Sequence, residues 1–129
     1  MNETKLKAQS IKRGTRKANR ESQRNGDLTI DTRARRVWVG EQEIRLTKLE
    51  YGVLEYLARR EGRVVTYQEL WREVWKHFSP LDDGEQRAVR QAVKRLRTKL
   101  SDNRDTPHFL TCVRDVGFRF EKPVVEIDS

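Results

Sequence analysis

The sequence predicts an α+β fold: a small antiparallel sheet at the N-terminal end, three helices, and a C-terminal β-hairpin. Three observations carry this. Apolar residues alternate with polar ones over residues 27–46 and again over 109–120, and three helix-start signatures stand between those stretches. The third helix also divides cleanly into one apolar stripe and one strongly basic face.

The elements follow in order. Residues 1–26 carry eight basic and two acidic side chains but only Met1, Leu6, Ala8, Ile11 and Ala18 as apolar ones. Too little apolar surface is available there for a core, so the stretch reads as a solvated, disordered tail or linker rather than a dedicated nucleic-acid arm. In residues 27–46, Leu28 and Ile30 alternate, Val37-Trp38-Val39 ends at Gly40-Glu41, and Glu43-Ile44-Arg45-Leu46 alternates again. Three short strands are expected, with the turn between the second and third at Gly40. Thr47-Lys48-Leu49-Glu50 has the form of a capping box and starts the first helix, which Gly62 ends. Arg63-Val64-Val65 is a short extended link, and Thr66-Tyr67-Gln68-Glu69 repeats the box before Leu70, Trp71, Val74 and Trp75. A third cap at Asp83-Gly84-Glu85-Gln86 opens a helix over about 84–101.

At 100° per residue, Ala92, Val93, Leu96 and Leu100 fall within about 60° of Val89. Arg87, Gln91, Lys94 and Thr98 fall opposite, flanked by Arg90 and Arg95. Residues 85–101 hold six basic side chains and one acidic one, Glu85. Like charges at these spacings cost stability, and phosphates would compensate them. The helix alone leaves two readings open, an ordinary charged surface or a phosphate-binding face. After a polar linker and Pro107, Leu110 and Cys112 alternate on one arm of a hairpin and Phe118 and Phe120 on the other. Gly117 is free to supply positive φ in the turn and Arg114 stands near the tip; the other reading is a plain core-covering hairpin with Cys112 as a small buried residue. A basic helix followed at once by such a hairpin suggests major-groove and minor-groove contacts made side by side.

Composition narrows the function classes. Of the 129 residues, 28 are Lys or Arg and 20 Asp or Glu, giving a net charge of +8 and a pI near 10.0. No apolar run exceeds three residues, which excludes a membrane helix, and no apolar stretch follows Met1, so no secretory signal is expected. The single cysteine, Cys112, fits a reducing compartment, so a cytoplasmic location is expected. His77 and His108 lie far apart, no phosphate loop or nucleophile elbow is present, and neither catalytic residues, a metal site nor a cofactor is expected.

Four segments resemble one family. Leu46-Thr47-Lys48-Leu49-Glu50-Tyr51 resembles the opening of the OmpR/PhoB-type effector domain of two-component response regulators. Arg63-Val64-Val65-Thr66 through Leu70 and Val74-Trp75 resemble its second segment; Val93-Lys94-Arg95-Leu96-Arg97-Thr98-Lys99-Leu100 is similar to its recognition helix. Val113-Arg114-Asp115-Val116-Gly117-Phe118-Arg119-Phe120 is similar to its wing. The motifs occur in order across 27–121, leaving 122–129 as a C-terminal tail.

The resemblance implies a winged helix-turn-helix and a sequence-specific, double-stranded DNA-binding transcriptional regulator of bacterial type that is not an enzyme. It implies that Arg95 reads a base in the major groove, with Gln91 and Arg90 beside it. Arg87, Lys94, Arg97 and Thr98 would contact phosphate or groove, Arg114 the minor groove, and Trp75 the DNA backbone. Six cationic contacts would give a log–log salt slope of about −5. The implied partners are tandem DNA half-sites, RNA polymerase through the 76–84 loop, and a receiver domain in a longer chain; a stand-alone regulator is the other arrangement. Asp115 stands where the wing commonly has glycine and Phe118 where it commonly has tyrosine, while Arg90 and Gln91 replace acidic or small residues, so base preference should differ. Two other functions use the same charges: a non-specific or architectural nucleic-acid binder, and a winged helix that binds another protein.

Overall fold

The computed structural model describes residues 27–102, 108–122 and 124–127. The basic tail over 1–26 and most of the polar linker before the hairpin lie outside the described residues. The described residues fall into two units, one within 27–45 and 124–127 and the other within 46–122.

In the first unit, β1 (Leu28–Asp31), β2 (Arg36–Val39) and β3 (Gln42–Ile44) form the expected antiparallel meander. The Asp31 carboxylate closes the β1–β2 turn by accepting from the Arg33 and Ala34 amides at 3.2 and 3.1 Å. Gly40 adopts φ 60° between β2 and β3, where a side chain would be strained. Arg36 and Glu43 form a two-bond ion pair at 2.8 and 2.9 Å across β2 and β3. The expected C-terminal tail contains a strand instead. Val125–Ile127, here β7, pairs in parallel with β1, giving the order β3-β2-β1-β7. Three residues show no periodicity, so only the distant partner reveals this strand.

The second unit contains α1 (Lys48–Ala58), β4 (Val64–Thr66), α2 (Tyr67–Glu73), α3 (Asp83–Lys99), β5 (Leu110–Val113) and β6 (Gly117–Phe120). Helix α1 begins with the full capping box: the Thr47 hydroxyl accepts from the Glu50 amide, and the Glu50 carboxylate accepts from the Thr47 amide. At α2 only half of the expected box forms. Thr66 accepts from the Glu69 amide at 3.0 Å, whereas the Glu69 carboxylate accepts from Tyr56 and Arg63. Helix α3 is capped by Asp82, one residue before the expected Asp83, because Asp82 with Glu85 closes a complete box.

Three helices followed by a hairpin make a winged helix. Both α1 and α2 pack on α3, and Val53, Leu54, Leu57, Leu70, Val89 and Leu96 are fully buried. The Arg63-Val64-Val65 segment is more than a link: β4 pairs antiparallel with β6, giving a three-stranded sheet in the order β4-β6-β5. That third strand joins the wing to the start of α2.

A candidate nucleic-acid interface on the third helix and the wing

Helix α3 buries the predicted stripe: Val89, Ala92, Val93, Leu96 and Leu100 are almost without solvent exposure. Arg87, Arg90, Gln91, Lys94, Arg95 and Thr98 are all exposed. The helix thus presents four cations, an amide and a hydroxyl on its open side, held from behind by apolar packing. Among the described residues Arg87 and Lys94 form no ion pair. The Arg90 guanidinium lies 5.5 Å from the centre of the Tyr67 ring, and Tyr67 meets Phe118 of the wing edge-on at 5.1 Å. Interaction with the Tyr67 hydroxyl raises the Arg90 pKa above its ordinary value.

Arg97 does not belong to this face. It is 7% exposed; its guanidinium donates to the Leu110 carbonyl and lies 3.9 Å from Asp102. The expected groove contact is corrected to a structural one, which ties α3 to the first strand of the wing. Asp102 completes the joint by accepting from the His108, Phe109 and Leu110 amides at 2.5, 3.2 and 2.9 Å. Three amide donors, with the Arg97 charge close by, hold this carboxylate and with it the wing's entry against the end of α3.

The basic side chains of α3 are also compensated from within the protein more than the sequence implies. Glu50 of α1, 3% exposed, lies 2.6 Å from Lys99 and 3.7 Å from Arg95. Burial opposes ionisation of Glu50, but the hydrogen bonds from Lys99 and the Thr47 amide outweigh it and hold its pKa below the ordinary value. Phosphates are therefore not required to balance Arg97 and Lys99.

In the wing, Arg114, Asp115 and Val116 are exposed at the tip. The positive φ falls on Asp115, at 65°, rather than on Gly117. Aspartate tolerates this left-handed geometry better than most side chains. Gly117 is needed for space: a Cβ there would stand 2.0 Å from the Val65 carbonyl oxygen, where β6 crosses β4. Cys112 is exposed, against the reading of a plain core-covering hairpin. Its strand has one buried position, Leu110, and Cys112, two residues on along the same face, stays open although it pairs with buried Phe118.

Trp75 follows the end of α2, half-buried, with its ring 5.7 Å from that of Trp71. The chain turns at Lys76 through φ 64° into the loop that leads to α3. Gln68 pins that loop, donating to the Ser79 carbonyl and accepting from the Leu81 amide at 3.2 and 2.9 Å. Phe78 is left 76% exposed on it. Gln68, Tyr67, Glu50 and Asp102 support this surface without having been among the site residues expected from the sequence. Glu50 alone carried a signal, as an acid in a box whose helix must face the basic one.

The family model for the C-terminal domain of transcriptional regulatory proteins matches residues 41–120. The chain belongs to this family. Curated relatives of the family's domain include the transcriptional regulatory protein AfsQ1 of Streptomyces coelicolor, 35% identical over 113 residues, covering 88% of this chain and 48% of that protein. SrrA of Staphylococcus aureus is 40% identical over 95 residues, covering 73% of this chain and 38% of SrrA. The chain thus spans less than half the length of the curated relatives it matches. Among solved structures, the RstA DNA-binding domain of Klebsiella pneumoniae in complex with the RstA box is 32% identical. It superposes with a TM-score of 0.66 over 74% of this chain and 92% of that one. DrrB, an OmpR/PhoB homologue from Thermotoga maritima, is 31% identical with a TM-score of 0.65 over 75% of this chain and 42% of its own. The family resemblance seen in four sequence motifs is thereby established for the domain.

Proposed function

We propose that this effector domain binds double-stranded DNA in a sequence-specific manner and regulates transcription, with α3 in the major groove and the wing at the minor groove. The observation that carries the reading is the open face of α3. Arg87, Arg90, Gln91, Lys94, Arg95 and Thr98 all face solvent on one side of a helix whose other side is locked in the core. A relative 32% identical, described as bound to its DNA box, supports the same use of the fold. In this reading Arg95, with Gln91 and Arg90, reads base edges, since arginine pairs with guanine and glutamine with adenine through two bonds each. Arg87, Lys94 and Thr98 contact phosphate, Arg114 enters the minor groove, and Trp75 packs on the backbone. This reading calls on no reaction, metal or cofactor.

The same reading extends to partners. Tandem half-sites suit the small footprint of one domain. The 76–84 loop, with Phe78 exposed, is the surface offered to RNA polymerase, and the greater length of the relatives leaves room for a receiver domain in a longer chain. The roles separate by mutation. Arg95→Ala is expected to flatten discrimination between the preferred duplex and single-base variants, whereas Lys94→Ala weakens binding to all of them alike. Equal losses on every duplex for both variants would leave a non-specific binder.

A further inference from the structure

We propose that Glu50, a residue of α1 away from the open face, determines sequence preference by fixing how Arg95 is presented; this rests on the DNA-binding reading above. The two oxygens of its carboxylate have different partners. Oε1 accepts from the Thr47 amide at 3.0 Å and from Lys99 Nζ at 2.6 Å, and Oε2 lies 3.7 Å from Arg95 Nε. The capping box and burial together hold the carboxylate in place, because a buried carboxylate stripped of its partners is costly. Arg95 approaches it through Nε, while its side chain is 57% exposed. The guanidinium is therefore held by charge at its rear edge while more than half of the side chain stays in solvent. Two-bond recognition of a base edge depends on the plane and direction of that fork.

Lys99 makes the arrangement workable. It sits one helical turn after Arg95 and contacts the same acid. When Arg95 shifts toward a base, Lys99 keeps Glu50 paired, so reading a base does not strand a buried charge. Arg87 and Lys94, which form no ion pair among the described residues, lack any such anchor and suit contacts in which direction matters little.

The test is the ratio of affinities for the preferred duplex and for variants at the base pair most sensitive to Arg95. Glu50→Gln keeps an oxygen for the Thr47 amide but removes the charge facing Arg95. The ratio is expected to fall about tenfold, or 1.4 kcal/mol. Thr47→Ala weakens the cap without touching that charge, and the ratio should be retained. An unchanged ratio in Glu50→Gln, or an equal fall in Thr47→Ala, overturns the proposal. The unbound wild-type protein gives a second readout if Glu50→Gln does not fold. The Arg95 Nε–H order parameter from nitrogen relaxation should exceed that of Arg87; equal mobility counts against an anchor. A wild-type protein with no preference among duplexes removes the DNA reading itself, whereas a wild-type preference that Glu50→Gln retains removes this inference alone.

Discussion

At Gly117 a single hydrogen atom decides whether the wing can reach α2. The position pairs with Thr66, and a Cβ would meet the Val65 carbonyl oxygen at 2.0 Å and the Thr66 Cα at 2.8 Å. Backbone stands in the way, so no side-chain rotation relieves the clash. Gly117→Ala is expected to destabilise the domain by about 3 kcal/mol, at the upper end of overpacking costs. Denaturant unfolding at constant m-value measures it, and a loss under about 1 kcal/mol would mean that β4 and β6 are not held this close. Residue by residue, the sequence was read correctly where helical phase alone decides exposure. Arg97 shows the limit. It falls about 80° from Val89 at 100° per residue, on the border of the apolar stripe. Its family motif suggests the groove, yet its environment makes it a buried tie to Leu110 and Asp102. Cys112 shows a related limit: alternation identifies a strand's two faces but not which of its positions the rest of the fold covers.

Among the elements, the joint between α1, β4 and α2 is an ion cluster rather than a second capping box. The Glu69 carboxylate accepts from Tyr56 at 2.5 Å and from Arg63 at 2.7 Å, with Arg60 at 3.9 Å. Arg63, chiefly, holds the Glu69 pKa at about 2, against an ordinary value of 4.5, despite the opposing effect of burial. A lowered folded-state pKa means that the contribution is fully present above the ordinary value and is lost as pH falls through about 2. Arg63 is half exposed, so solvent screening reduces the net contribution well below what the shift alone implies. Glu69→Gln, which keeps the backbone amide used by Thr66, should be less stable than wild type at pH 7. The gap should close near pH 2; a gap independent of pH would place the cost in packing instead. The elements legible in advance were those with local signals: three helices with caps, and strands beside turns. Strands β4 and β7 carry no such signal, being three residues each and defined by pairing with β6 and β1. Even the start of α3 was ambiguous by one residue, because Asp82 and Asp83 each have a Glu or Gln three positions on.

For the whole molecule, a net charge of +8 favours association with a polyanion, but the structure redistributes that charge. Arg97 is buried and Lys99 faces Glu50, so Arg87, Arg90, Lys94 and Arg95 remain on α3, with Arg114 on the wing. Five cations rather than six lower the expected domain contribution to a salt slope of about −4.5, at 0.9 per phosphate. The comparison of two variants isolates the effect. Arg87→Ala should reduce the slope's magnitude by about 0.9, and Lys99→Met should leave it unchanged. A fall with Lys99→Met as large as that with Arg87→Ala would put Lys99 on phosphate and remove it from Glu50. The central claim is specific recognition by this face, and selection from a random duplex library tests it most directly. The selected duplex and a scrambled one are compared at about 150 mM salt, since affinities depend strongly on salt. The account predicts a repeated half-site about one helical turn apart, bound at least about a hundredfold more tightly than the scramble. Equal binding to the two duplexes would contradict it and leave a basic winged helix that holds DNA without reading it.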